Sequence, residues 1–167
     1  KPYYNLDATR RFRQLGDLRY RGIELSVTGQ IVPGVTLVAG TLLLDPRISG
    51  PAVDAGQIGP RPVGQVRQRS VANIDWRLQG GRSPWSVDLA IETFSSRMGN
   101  AANTVSAPAH TNVNLGARYR FSASFAKFLL RGQVLNLFNS YAWNVTTSGG
   151  FNYVSSRTAR VELLVDF

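Results

Sequence analysis

The sequence predicts an all-β protein: an antiparallel, up-and-down meander of about seven long strands. Three observations carry that prediction. Apolar and polar residues alternate with a period of two over segments of about ten residues, most regularly in 85–94 and 111–121. The connections between these segments alternate between short and long. No segment shows helical periodicity, and no apolar run approaches the roughly 18 residues that a spanning helix needs.

Residues 1–16 are polar and aromatic, with Arg10-Arg11-Phe12-Arg13, and read as a loop that has room for a short extended piece. The first strand is expected over 18–29, where Ile23, Leu25 and Val27 oppose Glu24, Ser26 and Thr28. Pro33-Gly34 supplies a turn. Residues 35–45 form the next strand; it is apolar on both faces, so its facing is open. Residues 46–68 are rich in glycine and proline and read as a long loop. A third strand covers 69–78, with Ala72, Ile74, Trp76 and Leu78 opposite Asn73, Asp75 and Arg77. After a short turn at 79–84, Trp85, Val87, Leu89 and Ile91 oppose Ser86, Asp88, Ala90 and Glu92. A second long loop covers 95–110. The strand at 111–121 sets Val113, Leu115, Ala117, Tyr119 and Phe121 against Asn112, Asn114, Arg118 and Arg120. A short connection at 122–127 leads to a strand over 128–139, and a third long loop covers 140–156. The last strand, 157–167, has Val161, Leu163, Val165 and Phe167 on one side and Arg160, Glu162 and Asp166 on the other.

A meander with this rhythm places every short turn at one end and every long loop at the other. Its polar face carries ionised groups: Asp75, Arg77, Asp88, Glu92, Arg118, Arg120, Arg131 and Glu162. Its apolar face collects Trp76, Trp85, Tyr119, Phe121 and Phe167 near the short turns. A barrel in a membrane fits this, with water inside, lipid outside and aromatics at the interface. A soluble β-sandwich alternates in the same way, but its strands are nearer five or six residues.

Composition narrows the chemistry. The chain has 167 residues, no cysteine, one histidine (His110) and a formal net charge of +9, mostly from arginine. Disulfides, thiolate metal sites and cysteine nucleophiles are excluded. The arginines recur within strands and near strand ends rather than in one cluster, which argues against nucleic acid as a partner. No catalytic constellation emerges. Asp88 and Glu92 share a strand face four residues apart, about 13 Å along the strand, too far for a paired acid–base couple. No glycine cluster has the strand–helix setting of a phosphate loop. No metal or cofactor site is expected, and the chain does not read as an enzyme.

Several segments resemble one family. Gly16-Asp17-Leu18-Arg19-Tyr20-Arg21-Gly22-Ile23-Glu24-Leu25-Ser26 is similar to the Arg-x-x-Gly-[Val/Ile]-Glu-Leu-Ser stretch of TonB-dependent outer-membrane receptors. Pro33 to Gly40 resembles their next hairpin, and Val134-Leu135-Asn136-Leu137-Phe138-Asn139 resembles the Asn-Leu-Phe-Asn element of their penultimate strand. The closing strand, with its terminal Phe167, resembles the assembly signal of outer-membrane barrels, in which Val161, Leu163, Val165 and Phe167 would be read by the barrel-assembly machinery.

The resemblance implies a bacterial outer-membrane location. It implies that residues 1–167 are the C-terminal third of a larger barrel, with TonB engaged only through an N-terminal plug outside this chain. It further implies uptake of a scarce ligand, an anionic molecule such as a ferric siderophore. Cationic and aromatic loop residues would suit such a ligand: Arg61, Arg67 and Arg69 at the first long loop, and Tyr141, Trp143 and Tyr153 in the third. The same arginines would equally suit lipopolysaccharide phosphates. A general diffusion porin, or another structural barrel, is the alternative from a different class.

Overall fold

The structure is a computed structural model that describes residues 1–7 and 9–167. Its strands are β1 (Pro2–Leu6), β2 (Phe12–Val32), β3 (Val35–Ser49), β4 (Gln68–Arg77), β5 (Trp85–Phe94), β6 (Arg97–Met98), β7 (Ser106–Ala107), β8 (His110–Ala123), β9 (Ala126–Leu135), β10 (Trp143–Val145), β11 (Phe151–Tyr153) and β12 (Thr158–Asp166). One short helix, α1 (Pro51–Asp54), follows β3. Eight strands form one sheet in the order β1-β2-β3-β4-β5-β8-β9-β12, with every neighbouring pair antiparallel. The pairs β6–β7 and β10–β11 are small hairpins inside the long connections. The predicted meander is therefore present, in sequence order.

Most boundaries lie within a few residues of the sequence reading; three larger differences have a local reason. Residues 1–16 are not one loop. β1 pairs with the start of β2, and the turn between them closes where the Asp7 carboxylate accepts the backbone N–H groups of Thr9 (2.8 Å) and Arg11 (3.0 Å). The sequence hid this because charged side chains crowd the segment while its apolar groups, Tyr3, Leu15 and Leu18, are spread out and face inward. β1 also makes the strand count even, so the first and last strands of the sheet run antiparallel.

β3 continues through Pro46 to Ser49 instead of stopping at Asp45. Its pairing to β4 ends at Leu43, so beyond that point β3 is an edge and the missing proline N–H breaks no ladder on that side. β9 ends at Leu135, not Asn139, because Asn136 adopts a positive φ of 49° and turns the chain. Phe138 consequently leaves the strand and is exposed.

The short turns gather at one end as expected. Gly34 turns β2 into β3 with φ 83°, in a place where a Cβ would lie 2.5 Å from the Arg77 carbonyl oxygen. Two residues join β8 to β9, and a turn at Leu78–Gly81, left-handed at Gln79 (φ 53°) and Gly80 (φ 65°), leads from β4 towards β5.

Register fixes the faces. Trp76, Val87, Ala117, Gly132 and Val161 lie side by side across five strands, and Trp85, Tyr119, Leu130 and Leu163 form the row beneath them. Trp85 and Tyr119 pack with tilted rings at 4.6 Å, and Tyr119–Phe121 (5.6 Å) and Phe121–Phe128 (4.8 Å) stack, an aromatic band beside the short turns. The open facing of β3 is also settled: Leu37, Ala39 and Leu43 share the apolar face, whereas Val38 and Leu42 lie on the polar one.

Opposite lies the charged face. Asp75 and Asp88 are register partners, as are Arg118, Arg131 and Glu162 in succession. Arg118 pairs with Asp75, and its Nε lies 3.4 Å from Asp88. Arg69 Nε donates to Glu92 Oε1 at 2.9 Å.

No second layer covers the apolar face. Ile23 is 62% exposed, Leu163 57% and Val161 77%. The buried apolar residues sit at the loop end instead: Tyr3, Leu15, Leu18, Ile48 and Ile58 in one cluster, and Val63, Ala107 and Val145 in another. A sandwich would have buried the long apolar rows, so that alternative falls. From Thr111 to Phe121, β8 covers roughly 34 Å along its length, or about 26 Å of depth at a tilt of about 40°. That matches the apolar band of an outer-membrane strand. Leu89→Arg, in mid-row on this face, is expected to destabilise the membrane-inserted full-length protein by about 2–4 kcal/mol. Gln133→Arg, on the polar face, is expected to cost less than about 1 kcal/mol; denaturant unfolding in lipid vesicles measures both.

Candidate functional site: the interlocked loop layer

The three long connections do not hang free. The first and second are joined where the Arg61 N–H donates to Asn103 Oδ1 (2.9 Å) and Asn103 Nδ2 donates back to the Arg61 carbonyl (2.8 Å). Gly59 and Gly64 donate their N–H groups to the carbonyls of Ala101 (2.8 Å) and Met98 (2.9 Å). The third connection locks onto the second where the Phe151 ring lies over Gly99. A Cβ there would sit 2.4 Å from the ring, so only glycine allows this contact.

Asn136 organises the third connection. Its side chain is 3% exposed and donates to the carbonyls of Ser140 and Ser155, both at 3.0 Å. Its Oδ1 accepts the Ser140 N–H at 2.9 Å, and its own N–H goes to Asn114 Oδ1 at 2.9 Å. Asn139, also at positive φ (52°), accepts the Arg157 N–H at 3.0 Å. The Asn-Leu-Phe-Asn element is therefore the clasp that closes both ends of the loop.

The aromatic half of the predicted site is assembled by this clasp. β10 and β11 pair Trp143 with Tyr153, and their rings lie 3.9 Å apart. Tyr141 sits 5.4 Å from Tyr153 and 5.8 Å from Trp143, and Phe151 completes the cluster at 6.1 Å from Trp143. A cleft of about 510 Å³ opens beside them, between Tyr141, Trp143 and Phe151 on one side and Ala107 and Pro108 on the other. Its size and apolar lining suit a small aromatic ligand. Tyr141 and Tyr153 are 71% and 62% exposed, so their faces are free to stack.

The three arginines do not join that cluster, and they do not stay together. Arg61 and Arg67 line a separate cleft of about 670 Å³ with Arg21 and Asp45; Arg67 lies 3.9 Å from the Asp45 carboxylate. Arg69 belongs to the polar face, engaged with Glu92 and lying over the Phe94 ring at 5.6 Å.

Arg97 escaped the sequence reading. It is 6% exposed, its guanidinium lies 5.0 Å over the Phe94 ring, and it donates to Asn144 Oδ1 at 3.3 Å. Its Nε and Nη2 have no hydrogen-bond partner among the described residues, and burial lowers its pKa. His110 stacks on the same Phe94 ring at 5.0 Å. A lone Arg97 in a two-residue strand carried no signal of this burial. Among the described residues, no group of three histidine or acidic side chains could hold a metal ion.

Asn136→Ala would strand the Ser140 N–H and two carbonyls, each worth about 1–3 kcal/mol if left unpaired. Trypsin cleavage after Arg157 in the folded full-length protein is expected to speed up by about tenfold or more, read as fragment appearance over time.

Comparison with known proteins identifies the lineage. The family model described as "TonB dependent receptor-like, beta-barrel" matches residues 2–137. The ferrichrome receptor FcuA of Yersinia enterocolitica is 28% identical over 162 residues, covering 96% of this chain and 21% of that protein. Among solved structures, the ferric preacinetobactin receptor BauA of Acinetobacter baumannii aligns over 100% of this chain and 26% of its own, with TM-score 0.83 and 25% identity. The siderophore receptor PiuA of the same organism aligns over 97% and 23%, with TM-score 0.75 and 17% identity, a likeness of fold. The chain thus spans about a fifth to a quarter of the length of these relatives. With the open antiparallel sheet, the uncovered apolar face and a family match over most of its length, this chain belongs to the β-barrel family of TonB-dependent outer-membrane receptors.

Proposed function

We propose that the chain supplies the C-terminal strands and three loops of a receptor that takes up a ferric siderophore across the outer membrane. The observation that carries this is the cluster of Tyr141, Trp143 and Tyr153, of which Tyr141 and Trp143 line a ligand-sized cleft, held by loops that fix one another. The relatives' names point the same way: they are receptors for ferrichrome and for ferric preacinetobactin. Residues 1–167 act here as one part of a larger barrel, since both outer strands of the sheet, β1 and β12, have a free edge that further strands would pair.

In this reading the aromatic faces capture the ligand from outside. Arg61 and Arg67, in their separate cleft, favour its negative charge from a distance. Entry is powered by TonB acting on a plug domain that these residues do not include. No covalent bond is made or broken, so the protein works as a transporter and not as an enzyme. Outer-membrane lipid faces the apolar rows. The barrel-assembly machinery reads the end of β12, where Val161, Leu163 and Val165 lie on the apolar face and Phe167 is 94% exposed.

Two tests follow. Titrating the full-length receptor with an iron-loaded catecholate should quench its tryptophan fluorescence. Trp143→Ala and Tyr153→Ala should each weaken the apparent affinity by about tenfold, a loss of about 1–2 kcal/mol of stacking. Unchanged affinity in both would sink the proposed site. Deleting Phe167 from the full-length protein should lower the amount of heat-modifiable barrel in the outer membrane several-fold. An unchanged amount would remove the assembly role of the closing strand.

A further inference from the structure

We propose that Arg97 makes the aromatic cleft discriminate among ferric chelates by net charge, favouring anionic over neutral ones, through its field and without contact. The inference rests on the uptake reading above and concerns a residue which that reading does not use. Arg97 stands in the strand paired with one wall of the cleft. Its register partner across the β6–β7 hairpin is Ala107, which lines that wall. Its Nη1 donates to Asn144 Oδ1 at 3.3 Å, and Asn144 follows Trp143, which lines the facing wall. The guanidinium therefore bridges the two segments that carry the cleft.

Its charge is unshared. Among the described residues, no carboxylate lies within 4.0 Å of Arg97. Glu92, on the polar face of β5, is engaged by Arg69 at 2.9 Å. Nε and Nη2, which together form one edge of the fork, have no hydrogen-bond partner among the described residues. What holds the guanidinium is the Phe94 ring at 5.0 Å, a contact that steadies a cation without neutralising it. An unpaired buried charge destabilises a fold, and an apolar side chain would serve a packing role alone better. A counter-charge that arrives with the ligand accounts for an arginine in this place.

Burial lets this charge act at a distance. Arg97 is 6% exposed, whereas the Arg67 side chain is 56% exposed and shares the Asp45 carboxylate in a separate cleft. Exposed charges are screened over about 10 Å at ~0.1 M salt, and buried ones much less. At an effective dielectric near ~20, unit charges roughly 10 Å apart change an affinity by about tenfold.

The test titrates the full-length receptor in detergent with two probes, following tryptophan fluorescence. One is a ferric tris-catecholate, which is anionic, and the other a ferric tris-hydroxamate, which is neutral. A buffer at about pH 8.5, well above the ordinary histidine pKa of about 6.5, removes His110 as a second variable charge on the Phe94 ring. Arg97→Met should weaken the catecholate by about tenfold and the hydroxamate by less than about twofold. Arg97→Lys, which keeps the charge, should hold the catecholate to within about threefold of the unmutated protein. The loss in Arg97→Met should persist in ~0.5 M salt. Trypsin cleavage after Arg157 should be no faster in Arg97→Met, because an unpaired charge has been removed and not a support. Equal losses for the two chelates, or equal losses in Arg97→Met and Arg97→Lys, overturn the inference. Faster cleavage, or an unmutated protein that binds the hydroxamate alone, also overturns it. If the unmutated protein binds the catecholate alone, the Met and Lys variants decide on that probe. If Arg97→Met loses heat-modifiable folding, Arg97→Gln replaces it with the same expectations. Failure of the unmutated protein to bind either chelate would instead overturn the uptake reading on which the inference rests.

Discussion

The structure depends on the unbroken antiparallel backbone ladder. In a hydrocarbon layer an unpaired N–H or C=O costs several kcal/mol, so a chain can cross only where every strand is bonded to a neighbour. Here the ladder runs from β1 to β12 without an inserted element, and the small hairpins β6–β7 and β10–β11 are confined to the loop end. With the backbone satisfied between strands, side chains are free to serve two solvents. One face presents Trp76, Val87, Leu89 and Leu163 outward, and the other keeps Asp75, Asp88, Arg118 and Arg131 in register. The apolar rows stay uncovered because their partner is lipid and not a second sheet.

A sheet of this kind has almost no core, so the loop end must be stabilised by other means. It uses side-chain amides, one half-buried and one buried. Asn103 and Asn136 each satisfy several backbone groups of a distant segment, and Asn136 does so at a positive φ that asparagine tolerates better than most residues. The result is a layer in which the aromatic hairpin of β10 and β11 is held in a fixed place. Stacking surfaces held in position lose less freedom on meeting a ligand than mobile ones would.

The arginines show how strand parity assigns chemistry. Arg67 and Arg69 are two residues apart, yet Arg69 is drawn to the polar face by Glu92 while Arg67 lies by Asp45 at the end of the ladder, where β3 and β4 part. Arg19 and Arg21 point outward because they follow the period of Ile23, Leu25 and Val27. The same residue type therefore meets the barrel interior in one row and the membrane surface in another.

Period-two alternation and turn residues were legible because they are local. Trp85–Phe94 matches β5 at both ends, and Pro33-Gly34 makes the turn expected of it. The family segments around Gly22-Ile23-Glu24 and the closing strand were legible for the same reason. What the sequence by itself determined was thus the class of fold, the order of the strands and which face is apolar. Tertiary structure alone decided the rest. Pairing with β2 made a strand of Pro2–Leu6, the parting of β4 let β3 run through Pro46, and contacts from Asn114, Ser140 and Ser155 turned an apparent strand end into a clasp. It also separated Arg61 and Arg67 from the aromatic residues and buried Arg97. These outcomes depend on groups tens of residues away, and alternation within one segment carries no record of which distant segment will lie beside it.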